Sequence, residues 1–230
     1  MTGGARRLGR ALVEALAADG ARPVIHYHHS RDEALALALA TGGHAVHADL
    51  SAPDGPRHLI EGVRATGAEV AVWINSAATF LRAPFLDSDD DLWARTLQLS
   101  VLSPASLARA AAPLMVAGGA IINILDVAAH QPWRGYAHHS VGKAALLMLT
   151  RCLAAELAPA VRVCAISPGP LLPPEGEHDP AWDALVRQLP LRRAGAASDL
   201  VAAVRFLLAS EFITGVVLPV DGGMLVRSPV

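Results

Sequence analysis

Thr2-Gly3-Gly4-Ala5-Arg6-Arg7-Leu8-Gly9 runs straight into Leu8–Asp19, a stretch in which apolar residues recur at helical spacing. Glycines let a backbone approach a pyrophosphate closely, and a helix N-terminus offers free N–H groups and a positive dipole end. Such a turn is weak evidence by itself, so the next segment carries the weight. The strand candidate Pro23–His28 ends in His26-Tyr27-His28-His29-Ser30, where a second strand would present its C-terminal end to an adenosine ribose. Readers of NAD place an acidic residue there, on the ribose 2′-hydroxyl. Here the tip is His28, His29, Ser30 and Arg31, with Arg6 and Arg7 in the turn. That group repels no phosphate and can hold one by charge-assisted bonds, which points to NADPH over NADH. The plainer alternative is a solvated polar strand end.

Working outward, short β-rich runs alternate with longer Ala/Leu-rich helical runs. Strands are expected at Pro23–His28, His44–Ala48, Glu69–Asn75, Ala120–Leu125, Val161–Ile166 and Gly215–Pro219. Helices are expected at Leu8–Asp19, Arg31–Ala40, Pro56–Thr66, Asp89–Leu114, Ser140–Leu157, Pro180–Leu189 and Ala197–Ala209, with Ser30, Asp54 and Ser198 as N-caps. This alternation predicts an α/β fold: one Rossmann-type domain over residues 1–230, a doubly wound parallel sheet with helices on both faces. The turn at the start normally follows a central strand, and none precedes it. The first strand is therefore expected to be missing or truncated, leaving a gap and unpaired backbone on its neighbours, which favours a true start lying upstream. Leu171–Pro180 is Pro-rich and acidic and reads equally as a mobile loop over a site or a surface connection.

Composition excludes other classes. A net charge of −2 gives no polybasic field for nucleic acid or anionic membrane. No apolar run approaches the roughly 20 residues that span a bilayer, and no secretory pattern opens the chain. Cys152 and Cys164 lack metal-ligand spacing and are expected to be reduced core residues of a cytoplasmic protein; no metal site is expected. Among 19 basic residues there is a single lysine, Lys143.

With these residues in view, the chain resembles the short-chain dehydrogenase/reductase family over its whole length, and most of all its pteridine reductase and dihydromonapterin reductase branch. Arg7 stands where that branch puts arginine at the middle glycine of the family's turn, next to Leu8. The resemblance implies a 2′-phosphate site at Tyr27, His28, His29 and Ser30, and an adenine contact at Asp49-Leu50. Asn75-Ser76-Ala77-Ala78 is a variant of the stretch lining the cofactor. Phe80 matches an aromatic residue that stacks on a pterin ring, and Arg7 would face the same ring. Ser167-Pro168-Gly169-Pro170 looks like the Pro-Gly turn beside the nicotinamide, and Val220-Asp221-Gly222-Gly223 like the closing motif.

The family also carries a Tyr-x-x-x-Lys pair, with serine, or aspartate in pteridine reductases, thirteen residues before the tyrosine. Anchored on Lys143, the tyrosine position holds His139, and Asp126 lies thirteen residues before it. A lone lysine thus falls where a compact ribose-binding ammonium is needed. His139 replaces the usual proton donor; an ordinary imidazole titrates near 6.5, against roughly 10 for a phenol. Tyr136 is off the spacing, seven residues from Lys143, and is a second candidate acid. Ser100 stands where the family often has an asparagine that organises a relay water. The resemblance implies a homo-tetramer or dimer packed through Asp89–Leu114 and Ser140–Leu157, acting on a small, pterin-like molecule with NADPH. A carbonyl reductase of the same family, and a catalytically lapsed nucleotide-binding protein, are the alternatives.

Overall fold

The computed structural model describes residues 1–174 and 180–226. Its strands are β1 (Val24–Tyr27), β2 (His44–His47), β3 (Val70–Asn75), β4 (Met115–Ile124), β5 (Val161–Pro168) and β6 (Val217–Val220). Its helices are α1 (Arg7–Ala18), α2 (Arg31–Thr41), α3 (Gly55–Ala65), α4 (Asp90–Leu97), α5 (Ser103–Ala111), α6 (Ala137–Leu157), α7 (Pro180–Gln188) and α8 (Ala197–Ala209). All pairings are parallel, so every crossover needs a helix and both sheet faces are covered. Alternation sorts neighbouring residues to opposite faces. Trp73, Ile121 and Val163 join the cluster under α3 and α5, while Ile74, Ile122 and Cys164 join the one under α1 and α8. Because both faces are buried, the central stretches of β4 and β5, Ala120–Ile122 and Val163–Ile166, read as apolar runs.

The strands form two sheets, β1-β2 and β3-β4-β5-β6. Between them lies no full strand, as the sequence predicts, but neither is the gap empty. The Met1 amino nitrogen donates to Val24 O (2.7 Å), the His26 N–H donates to Met1 O (3.0 Å), and the Thr2 N–H donates to Ile74 O (2.9 Å). Two residues thus bridge β1 to β3, and the seam is thin rather than open.

Other expectations need correction. The single helix expected over Asp89–Leu114 is α4, a π-helical turn at Gln98–Leu102, then α5 and a 3₁₀ turn at Ala112–Leu114. Ser30 and Asp54 make no side-chain cap bond, and Ser198 lies inside α8. The working caps are Asp89, which accepts from Leu92 N–H (2.7 Å), and Asp199, which accepts from Ala196 N–H (2.8 Å). Cys164 is buried, but Cys152 is exposed on α6 rather than in the core. No helix among the described residues is long and apolar enough to cross a membrane.

Candidate active site

The glycine-rich turn is shaped by steric necessity. Gly3 sits at φ +60°, and a Cβ there would lie 2.9 Å from Ala77 Cα; at Gly9 a Cβ would strike the Gly3 carbonyl. The middle position of the turn also has a left-handed backbone, Arg7 at φ +50°, at a cost of about 1–2 kcal/mol for a non-glycine residue. From that backbone Arg7 Nη2 donates to Pro173 O at 2.6 Å, tying the turn to the Pro-rich segment after β5. The 175–179 part of that segment lies outside the described residues. Leu8 packs its side chain into the cluster under α1, so only its backbone is placed to meet a ligand.

Two residues hold the turn in register with the strands on either side. Thr2 Oγ1 accepts from the N–H groups of Ser76 (2.9 Å) and Ala77 (3.0 Å). Buried His26 takes the Gly3 N–H on Nδ1 (3.0 Å), so its Nε2 carries the proton and donates to Ala48 O (3.0 Å). Burial lowers the His26 imidazole to about 4, which keeps that neutral tautomer.

A cleft of about 520 Å³ opens between the two sheets. Gly3, Ala5 and Arg6 form its floor, Tyr27, His28, His29 and Ser30 one rim, and Asp49 and Leu50 the other, with Ser76, Ala77 and Ala78 opposite. The His28 and His29 ring centroids lie 3.6 Å apart, tilted by 32°, and His28 Nδ1 lies 3.8 Å from Asp49 Oδ1. Burial would raise the Asp49 carboxyl, but two bonds from Ser51 and the neighbouring His28 and His29 outweigh it and bring the group below its ordinary value. The N-terminal end of α1, a polar rim without an acid at the tip of β1, and this volume fit the adenosine and pyrophosphate parts of a dinucleotide.

Beyond the turn the site becomes buried. Lys143 Nζ donates one of its three bonds to Ile124 O (2.9 Å); burial lowers its ammonium to about 8, while Asp126 pulls the other way. His139 is buried, with neither ring nitrogen hydrogen-bonded, and its Nε2 stands 3.6 Å from Asp126 Oδ2. Asp126 Oδ1 accepts the Ala128 N–H (2.8 Å), which fixes the carboxylate and aims its other oxygen at the imidazole. Over this pair sits Phe80, edge-on to His139 (5.1 Å) and stacked on Tyr136 (4.5 Å, 18°), with Trp133 closing the side at 5.9 Å. Tyr136 is therefore a wall of the aromatic box. A buried His139 with unused nitrogens, a carboxylate and an ammonium can bind a ribose and pass a proton. The residues present fit the nicotinamide end of the same dinucleotide.

Asn75 is committed elsewhere. Its Oδ1 accepts from Trp73 Nε1 (2.9 Å) and its Nδ2 donates to Asn123 Oδ1 (2.8 Å), whose amide continues to Thr150 Oγ1 (2.9 Å). Only its backbone can line the cofactor path. Ser100 lies in the π-helical turn against Gly142, where a Cβ would come within 3.0 Å of Ser100 Cβ. Beside it, a cavity of about 10 Å³ touches Thr2, Asn75 and Ser100, room for about one water. Pro168 ends β5, and Gly169 packs under Asp221, whose Cα a Cβ would meet at 2.7 Å; the closing motif thus holds the Pro-Gly turn. Sequence reasoning missed Thr2, His26, Asn123 and Trp133. A buried polar residue beside a glycine turn was the available signal for the first two.

A profile described as Enoyl-(Acyl carrier protein) reductase matches residues 3–225. An uncharacterised oxidoreductase of Mycobacterium tuberculosis is 37% identical, with 97% of this chain and 90% of the relative aligned. L-xylulose reductase of Bos taurus is 30% identical over 98% of this chain and 95% of its own. Among solved structures, FolM alternative dihydrofolate reductase 1 of Brucella suis, in complex with NADP, superposes with a TM-score of 0.91 at 33% identity, covering 100% of this chain and 95% of that one. The turn, the parallel sheet, the Asp126–His139–Lys143 constellation and these likenesses together place the chain in the short-chain dehydrogenase/reductase family.

Proposed function

We propose that the protein is an NADPH-dependent reductase that reduces a dihydropterin- or dihydrofolate-type ring. The observation that carries this reading is the aromatic box of Phe80, Tyr136 and Trp133 set over Asp126 and His139. A flat heteroaromatic ring suits such an aromatic cluster, in which Phe80 is still exposed, since offset stacking on an aromatic side chain contributes beyond area burial. The likeness to a FolM reductase supports the same substrate class. Gly3, Arg7 and Leu8 would meet the pyrophosphate through backbone, Tyr27–Ser30 the ribose phosphate, and Asp49-Leu50 the adenine; Asn75, Ala77, Pro168 and Gly169 line the path. NADPH supplies the hydride.

The chain's own residues supply position and proton. The Lys143 ammonium, anchored at Ile124 O, holds the ribose. The proton passes from His139 Nε2 to a ring nitrogen of the substrate, while the nearby Asp126 carboxylate stabilises the imidazolium that precedes transfer. Reducing a C=N bond asks less of the acid than reducing a ketone, because the ring nitrogen is itself basic. That is how a histidine serves where the family has tyrosine. Arg7, through Pro173, closes the pterin end. Exposed Leu102, Val141 and Met148 around α5 and α6 are in keeping with a homo-oligomer packed through these helices.

The test is NADPH oxidation with 7,8-dihydrobiopterin, dihydromonapterin or dihydrofolate from pH 5 to 8, beside simple ketones and a His139→Tyr variant. Turnover of pterins, favoured at lower pH and lost in Asp126→Asn, is the expected result. Good turnover of ketones without pterins supports the carbonyl-reductase alternative. Silence in the wild type with activity in His139→Tyr means an intact pocket that has lost its acid.

A further inference from the structure

The rim of the cleft carries an arrangement that the reading above leaves unused. The His28 and His29 ring centroids lie 3.6 Å apart with the planes tilted by 32°, and His47 stands 5.9 Å from His28. All three are exposed, and His28 and His29 line the cleft. Two like charges this close repel one another, and an anion held beside both rings offsets that repulsion. The other charged and titratable groups around it do not remove this conflict. From β2 and its end come His47 and Asp49, whose single carboxylate lies 3.8 Å from His28 and already accepts two bonds from Ser51. From the glycine turn comes Arg6, and from the cleft's far wall on α4 comes Arg95, both cations. From β1 come Tyr27 and the buried His26, held neutral between Gly3 and Ala48. Arg31, Asp32 and Glu33 follow in the first turn of α2.

We propose that the adjacent His28–His29 pair couples NADPH binding to proton uptake, so that the preference for NADPH over NADH is itself set by pH. The 2′-phosphate brings close to two negative charges at neutral pH and satisfies both imidazolium rings at once. Binding then draws a proton from solvent: one imidazole nitrogen gains an N–H, and the phosphate oxygen accepts it. NADH carries no such group and draws none. A pair of arginines would bind the phosphate with equal strength at every pH; imidazoles titrate inside the physiological range. This rests on the NADPH reading and deepens it.

The test is isothermal calorimetry of the unliganded protein with NADPH and with NADH, in buffers of different ionisation enthalpy, at pH 6.5 to 8.5. The expected result is uptake of about one proton per NADPH near pH 7.5, none for NADH, and an NADPH Kd that weakens roughly fivefold to tenfold from pH 7 to 8. The double variant H28N/H29N, checked for folding by circular dichroism, should lose both the uptake and the slope. NADPH binding without uptake in the wild type overturns the coupling alone. Equal uptake with NADH, or uptake surviving in the double variant, overturns the assignment to this pair. Absence of NADPH binding at every pH overturns the cofactor reading and the coupling together.

Discussion

The two parts of the candidate site, the open cleft and the buried group beyond it, are built in opposite ways. At the His28–Asp49 end the groups are exposed, come from adjacent strand tips, and gather polar chemistry within a few residues of one another. At the Asp126–His139–Lys143 end they are mostly buried, come from β4, its following turn and α6, and are enclosed by aromatic rings. A water-facing end can change its charge cheaply, because solvent screens it. A buried end cannot, so a substitution there has to be matched by its surroundings, as His139 is matched by Asp126. The lesson is that the departure from the family pattern sits where the environment is least forgiving.

The comparison breaks first at Lys143. Lys143→Met removes the buried ammonium, and kcat/KM should fall about 10²- to 10⁴-fold while the fold survives, as read by steady-state kinetics and circular dichroism. Retention of near-wild-type turnover would show that the buried end does not do the chemistry.

His26 tests whether the polar end depends on a buried group. Its imidazole sits at about 4 when folded and near the ordinary 6.5 when unfolded. The unfolded chain therefore takes up a proton that the native state refuses. Stability from this group is complete above pH 6.5 and is lost as pH falls towards 4, about 3 kcal/mol in all. Urea unfolding at pH 6.5 and 4.5 should show that loss in the wild type and much less of it in His26→Gln.

Asp126→Asn keeps the shape but removes the carboxylate charge that stands 3.6 Å from His139 Nε2. Turnover at neutral pH should drop about 10-fold to 100-fold, with a smaller deficit at pH 5.5. A uniform loss across pH would make Asp126 a structural residue only.

Above neutrality the two ends should separate again. Lys143 loses its proton near pH 8, so kcat/KM should fall about tenfold per pH unit beyond it. Its contribution to stability has the opposite sign. The folded pKa is depressed, so the cost of the buried ammonium is relieved between pH 8 and about 10.5. Activity and stability moving apart over that window is the diagnostic. Smallest of all, Asp89→Ala removes the side-chain cap of α4 without touching a site side chain, and should cost ~1 kcal/mol with kinetics little changed.

Much of this was legible in the chain. The alternation of apolar runs and helical stretches located six strands and seven helical regions, because a doubly covered parallel sheet leaves short apolar runs between the helical stretches. The polar end was legible for a related reason: Tyr27, His28, His29 and Ser30 are contiguous, so their joint chemistry is written in one place. The buried end was legible only as spacing from Lys143. That spacing placed Asp126 and His139 together but carried nothing about Trp133, or about Tyr136 stacking on Phe80, since those contacts join separate loops. The π-helical turn at Gln98–Leu102 was invisible because each of its residues is compatible with an ordinary helix.

The two-residue bridge made by Met1 and Thr2 has a consequence for how the molecule comes apart. β1, β2 and α2 are fastened to the larger sheet by few backbone bonds, so they form a natural unit of partial unfolding with its own, lower, opening free energy. The cleft straddles that seam, with His28 and Asp49 on one bank and Ser76 and Ala77 on the other. A dinucleotide spanning both banks would act as a non-covalent cross-link. Its binding energy would be drawn from, and returned to, the local opening equilibrium. Amide exchange in β1 and β2 should therefore slow far more than exchange in β4 and β5 when NADPH is added.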